Sequence, residues 1–225
     1  MYDNVESRMI DDFPSKCALV KKHHSSGKLL DVGCGKGYFV KHCVDAGLDA
    51  QGVDLSTTAI EYATKTLGIA AIAGRVEDMT SFSNSFETVT MWATIEHLPA
   101  PEQTLSAIHR VLKPNGLLHL DTGIGADWLD KMLPGVNQWY DPPQHLFVFS
   151  APGLKKLLEK TGFEVIRSDL SYERSSTRRI AKMVRSMIAA LGLNAASRIA
   201  LARRPMETMS RFPFGNLQSF TARKV

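Results

Sequence analysis

Residues 29–37, Leu-Leu-Asp-Val-Gly-Cys-Gly-Lys-Gly, constrain the chain more than any other stretch. Leu29, Leu30 and Val32 form an apolar run closed by glycine, the pattern of a short buried strand. Gly33, Gly35 and Gly37 then turn the backbone into the amphipathic segment Tyr38–Ala46, which reads as a helix. Glycine takes positive φ without steric penalty, and its missing side chain lets a ligand approach the backbone. The helix that follows aims its unsatisfied N–H groups and the positive end of its dipole into the same space. A strand, turn and helix of this kind make a nucleotide-type site. A dinucleotide clamp needs G-x-G-x-x-G, with its third glycine at position 38. Tyr38 stands there instead, and Asp31 precedes the turn. This spacing does not build a pyrophosphate clamp, which argues against a nicotinamide-dependent oxidoreductase.

The rest of the chain alternates strand and helix signals. Residues 13–24 read as a helix ahead of the first strand. Leu48–Leu55 reads as the second strand, ending on Asp54, which lies 17 residues past Gly37. An acid there can accept hydrogen bonds from both hydroxyls of a ribose, in keeping with the sugar-binding acid about 20 residues after such a turn. Ser56–Leu67 is the next helix and Ile69–Ala73 a small third strand. Phe86–Trp92 is the fourth strand, delivering Trp92 and Ala93 to its carboxyl end, followed by Thr94-Ile95-Glu96-His97-Leu98-Pro99. A helix over Glu102–Leu112 leads to Lys113-Pro114-Asn115-Gly116-Leu117-Leu118 and a fifth strand, Leu117–Thr122. Ser150–Thr161 is a capped helix stopped by Gly162, and Phe163–Leu170 and Leu217–Lys224 are strands six and seven.

These motifs together resemble the class I S-adenosylmethionine-dependent methyltransferases, with Leu29–Gly37 similar to their first motif. The turn at Glu96-His97-Leu98-Pro99 and the turn at Lys113–Gly116, at this separation, resemble the small-molecule, ubiquinone-biosynthesis-like branch. The resemblance implies a Rossmann-like, doubly wound α/β fold with a seven-stranded sheet whose last strand is antiparallel. It implies S-adenosylmethionine as cofactor and S-adenosylhomocysteine as product. Asp31 would lie near the ammonium of the methionine half, and the backbone at Gly33, Cys34 and Gly35 near its carboxylate. Asp54 and Leu55 would serve the ribose. Asp78, or alternatively Glu77, would take the adenine amino group, with Met79 as an apolar neighbour and Trp92–Ala93 alongside. The implied reaction is methylation of a small-molecule acceptor, most naturally a hydroxyl, with a lipid or quinone-like compound among the candidate substrates. A catalytically silent protein that binds the cofactor to regulate a partner is the competing reading.

A hydroxyl acceptor must lose a proton, and a histidine suits that task because its pKa sits near working pH. His97, after strand four, and His145, in an aromatic loop, are the candidates. Trp128, Trp139, Tyr140 and His145 read as substrate walls, because loops at the carboxyl ends of the strands are where an α/β sheet binds its ligands. Catechol-type metal ligands are not recognisable, so no metal is expected.

Composition sets the outer bounds. The 225 residues suffice for one sizeable domain, expected to span the whole chain. Three cysteines without metal-ligand spacing point to reduced thiols in the cytoplasm, and neither a secretory signal nor a membrane span is recognisable. Charge is asymmetric: residues 171–225 hold 11 Lys and Arg against 2 acids, the preceding residues 16 against 21. The basic segment 174–204 carries an apolar stripe at Ile180, Met183, Val184, Met187, Ile188 and Leu191. It is expected to be a helical lid inserted between strands six and seven, with peripheral contact to an anionic membrane as the competing role. Nucleic acid is not an expected partner, since the segment lacks interleaved aromatics and a binding module. The oligomeric state is not legible.

Overall fold

A computed structural model describes residues 3–23, 26–125, 139, 143–171 and 217–225. The alternation of apolar runs and amphipathic segments folds in chain order as α1 (Asp3–His23), β1 (Lys28–Val32), α2 (Tyr38–Asp45), β2 (Asp49–Asp54), α3 (Thr57–Lys65) and β3 (Ala70–Ala73). There follow β4 (Phe86–Trp92), α4 (Pro101–Val111), β5 (Leu112–Gly123), α5 (Ala151–Lys160), β6 (Phe163–Ser171) and β7 (Leu217–Lys224). Single 3₁₀ turns occupy Val76–Asp78, Thr80–Phe82 and Ile95–His97.

The strands form one seven-stranded sheet in the order β3-β2-β1-β4-β5-β7-β6. Pairing is parallel from β3 through β5, and β7 runs antiparallel between β5 and β6. The expected architecture is therefore the observed one. The strand order reverses between β1 and β4, and a crevice opens at such a reversal beyond the carboxyl ends of the strands. One buried cluster joins Phe13 and Val20 of α1, Phe39 and Val40 of α2 and Ile60 of α3 to the sheet. The other joins Leu105 and Ile108 of α4 and Leu154 and Leu158 of α5 to Leu118, Leu120 and Phe220. Helices on both faces explain why the central strands β1 and β4 are buried along nearly their whole length, polar residues included.

Three boundaries differ from the sequence reading. The first helix begins at Asp3 and runs through Pro14, because Phe13, Cys17 and Val20 pack it against α2 and packing overrides the proline signal. The fifth strand begins at Leu112 rather than Leu117, carrying the turn at Asn115 (φ 63°) inside it. Asparagine tolerates this left-handed geometry better than other side chains. The acidic residues after β3 lie on a 3₁₀ turn rather than an open loop. The 174–204 segment, Trp128 and Tyr140 lie outside the described residues.

Candidate active site

The strand register sets up a row of carboxylates. Asp31 on β1 pairs with Thr90 on β4, and Trp92 of β4 pairs with Asp121 of β5. Thr90 donates its hydroxyl to Asp31 Oδ1 at 2.6 Å, and the Ala93 N–H donates to Asp121 Oδ1 at 2.8 Å. Lys16 of α1 reaches across with its ammonium 2.8 Å from Asp121 Oδ2 and 4.8 Å from the Trp92 ring centre. Burial pushes the Asp31 carboxyl up to about 7; the Thr90 hydroxyl and Lys16 pull it down, while Asp54 and Asp121 push it further up. Deep in the fold the uncharged acid is favoured, and a cation brought alongside restores the carboxylate.

The glycine turn is self-contained. Gly33 and Cys34 donate their N–H groups to the Val53 carbonyl at 2.9 and 3.2 Å, and Gly35 donates to Asp54 Oδ2 at 2.8 Å. The turn thus has no spare amide at Gly33, Cys34 or Gly35 with which to grip a carboxylate, contrary to the sequence expectation. It offers bare backbone instead. Gly33 (φ 76°) has the Thr94 side chain 2.5 Å from where a Cβ would stand, whereas Gly35 (φ 53°) faces open space. Asp54 is held at both oxygens, since Oδ1 also accepts the Ser56 N–H at 2.8 Å. A carboxylate has about four acceptor sites, so lone pairs remain for hydroxyl donors. Ser56, not Asp54, caps α3 through its own hydroxyl.

A cavity of about 300 Å³ runs along this end of the sheet, lined by Gly33, Asp54, Leu55, Glu77, Ala93 and His97 among others. That is the lower end of the volume typical of small-molecule sites. Among the candidate cofactor residues, Asp31, Cys34, Gly35, Asp78, Met79 and Trp92 are not on its wall. Asp78 is exposed and Met79 is buried in the core, so Glu77 replaces Asp78 as the acid facing the cavity. Glu77 accepts the Thr104 hydroxyl of α4. Cys34 is buried against Gly52, which raises its thiol far above the ordinary range. Trp92 packs edge-on against Phe39.

The far end of the cavity meets a polar trio. Glu96 is 1% exposed; its Oε2 accepts the Thr122 hydroxyl at 2.8 Å, and its Oε1 has no partner among the described residues. Burial raises its pKa, against the pull of hydrogen bonds and His97. The Glu96 carbonyl accepts the N–H groups of Leu146 and Phe147 at 2.8 and 3.1 Å, tying down the aromatic loop. His97 Nδ1 lies 2.8 Å from the Gln144 carbonyl, and His145 Nδ1 lies 2.9 Å from the Trp139 carbonyl. A carbonyl can only accept, so both Nδ1 atoms carry a proton, and in the neutral imidazole Nε2 is then the acceptor. The two rings stand 4.8 Å apart, and Trp139 stacks on His145 at 5.3 Å. The structure therefore brings together both histidines and the one described substrate-wall tryptophan.

Sequence reasoning assigned no role to Asp121, Lys16 or Glu96. Asp121 carried a usable signal, an acid ending the strand beside β4. Lys16 carried none, because only the docking of α1 brings it to the sheet.

A family model described as a methyltransferase domain matches residues 4–168. Ubiquinone biosynthesis O-methyltransferase of Haemophilus ducreyi is 33% identical over 128 residues, 48% of this chain and 54% of that protein. The enzyme of the same name from Burkholderia multivorans is 29% identical over 157 residues, 58% of this chain and 65% of that protein. The chain thus matches only between half and two thirds of the length of these relatives. A crystal structure of an S-adenosylmethionine-dependent methyltransferase from Archaeoglobus fulgidus superposes with a TM-score of 0.65 at 16% identity, covering 100% of both chains.

Proposed function

The chain belongs to the class I S-adenosylmethionine-dependent methyltransferase family, and from that premise we propose that it methylates a hydroxyl of a small-molecule acceptor. The observation that carries the reading is the single cavity that runs from Asp54 and Glu77 to His97. It has carboxylates suited to a nucleoside at one end and basic ring nitrogens at the other. When bound, S-adenosylmethionine supplies a methyl group already activated on a cationic sulfur.

The residues divide the remaining work. Asp54 accepts the ribose hydroxyls, its carboxylate held in place by Gly35 and Ser56. Glu77 receives the adenine amino group, with Leu55 and Ala93 as apolar neighbours on the same wall. Asp31, buried behind the glycine turn and off the cavity wall, is assigned to the ammonium of the methionine half, which compensates its buried charge. Gly33, on the wall, leaves the backbone without a side chain at the point of approach. Orientation of this kind can supply several kcal/mol of barrier lowering. At the acceptor end His97 and His145 present Nε2 lone pairs where the hydroxyl must lose its proton, and general-base help of that sort is typically worth about 10²–10⁴-fold. Trp139 walls the acceptor. Flotation of the chain with anionic vesicles, lost on deleting 174–204, would assign that segment to a membrane surface.

The test is incubation of the full chain with methyl-labelled S-adenosylmethionine and separate phenol, quinol and lipid pools. The reading expects an O-methylated product from one pool. Binding of S-adenosylhomocysteine with no labelled product from any pool would identify a cofactor-binding regulatory protein instead.

A further inference from the structure

Among the described residues three non-glycine positions have positive φ: Asn84 (51°), Ala93 (45°) and Asn115 (63°). Asparagine visits this left-handed geometry more readily than most residues, so two of the three need no further account. Ala93 has no such side chain. A β-carbon at positive φ crowds the backbone, and the conformation persists only where the surroundings impose it. Ala93 also stands on the cavity wall, where neither asparagine does. Backbone strain at such a place asks for a functional account.

Asp121 imposes the conformation. The strand register sets Trp92 of β4 beside Asp121 of β5. The Ala93 N–H meets the Asp121 carbonyl at 3.2 Å and the Asp121 Oδ1 atom at 2.8 Å. The ordinary ladder bond is the longer of the two, so the side chain is the principal acceptor. Lys16 holds the other oxygen, Oδ2, at 2.8 Å. A salt-bridged carboxylate accepts a backbone N–H more strongly than a neutral oxygen does, and a donor on each oxygen fixes its orientation. Past the kink, Thr94 donates its hydroxyl to the Trp92 carbonyl at 3.0 Å. The Thr94 side chain stands 2.5 Å from where a Gly33 Cβ would lie, so the kink closes the end of β4 onto the glycine turn. The chain then enters the 3₁₀ turn Ile95–His97, which carries His97 to the wall.

We propose that Asp121 is a positioning residue of the cofactor site: its carboxylate, oriented by Lys16, holds Ala93 in the left-handed conformation that shapes the wall between the glycine turn and His97. Asp121 is itself off the wall and acts through the Ala93 N–H. Without that bond Ala93 relaxes to negative φ, β4 runs on straight, and Thr94 leaves Gly33. The inference deepens the methyltransferase reading and rests on it for the role in cofactor binding, but not for the clamp.

The test separates the hydrogen bond from the buried charge. In the full chain Lys16→Met is combined with Asp121→Asn or with Asp121→Ala, so that neither variant buries an unpaired charge. The two differ in whether an oxygen remains for the Ala93 N–H. S-adenosylhomocysteine affinity is read by calorimetry and stability by urea denaturation. Affinity should be at least about fivefold weaker with Asp121→Ala than with Asp121→Asn. Adding Ala93→Gly to both should shrink that ratio below about twofold, because glycine takes positive φ without a clamp. A merely structural contact would move stability and leave the affinity ratio near one. A smaller ratio than expected, or one that persists when Ala93→Gly is added, overturns the proposal. Should the Asp121→Ala combination not fold, hydrogen exchange on the unsubstituted chain decides. The Ala93 amide should be protected, and more so with S-adenosylhomocysteine bound; a freely exchanging Ala93 amide overturns the clamp. An unsubstituted chain that binds no S-adenosylhomocysteine overturns the methyltransferase reading instead, a result independent of how the Ala93 amide exchanges.

Discussion

Asp31 is the residue at which burial and charge oppose each other most directly. Its folded-state pKa, about 7 against an ordinary 3.8, makes protonation favour the folded state. That contribution is full below about pH 4 and is lost as pH rises through about 7. A ligand ammonium beside it reverses the preference. S-adenosylhomocysteine affinity is therefore expected to rise about tenfold between about pH 6 and about pH 8, as one proton is released on binding. In Asp31→Asn the calorimetric affinity should be weaker and flat over that range; an unchanged slope would remove Asp31 from the site. At this scale the sequence revealed the residue types better than their contacts. Asp54 and the glycines were legible because turn and strand signals fix their position. The choice between Glu77 and Asp78 was not, because it depends on how a 3₁₀ turn points two adjacent acids to opposite environments. Nor could any spacing reveal that Gly33, Cys34 and Gly35 spend their N–H groups inside the protein.

At the scale of elements, α1 decides how the carboxylate row is neutralised. The Lys16 side chain is 14% exposed and its partner Asp121 3%, so this pair is largely withdrawn from water. Removing one member of such a pair costs about 3–5 kcal/mol. Lys16→Met should lose about that much in chemical denaturation. Since Lys16 also lowers the Asp31 pKa, the pH midpoint of S-adenosylhomocysteine binding should move upward in the same variant. A stability loss below about 1 kcal/mol with an unmoved midpoint would show that α1 merely covers the sheet. The element was legible in the sequence from Phe13 onward, but its purpose was not, since amphipathic helices of many functions carry lysines. The loop at 143–147 teaches the converse. Its composition suggested a substrate wall, and its bonds to Glu96 and His97 show why it holds one shape there.

For the whole molecule, the antiparallel β7 wedged between β5 and β6 closes the sheet around Leu118, Leu120 and Phe220. Leu118 is fully buried, and Leu118→Ala should cost about 2–5 kcal/mol, shown by a shifted denaturant midpoint. A cost near zero would mean that this side of the sheet is not packed as described. The doubly wound seven-stranded architecture was legible because β–α alternation leaves few topologies and the family resemblance implied an antiparallel last strand. The account stands or falls on what the cavity between β2 and α4 accepts. The most direct measurement is calorimetric titration of the full chain with S-adenosylhomocysteine and, separately, with NAD. The account predicts one-to-one binding of S-adenosylhomocysteine, weakened about tenfold or more in Asp54→Ala through loss of a charged acceptor, and no heat of binding with NAD. Binding of NAD, or an S-adenosylhomocysteine affinity indifferent to Asp54, would contradict it.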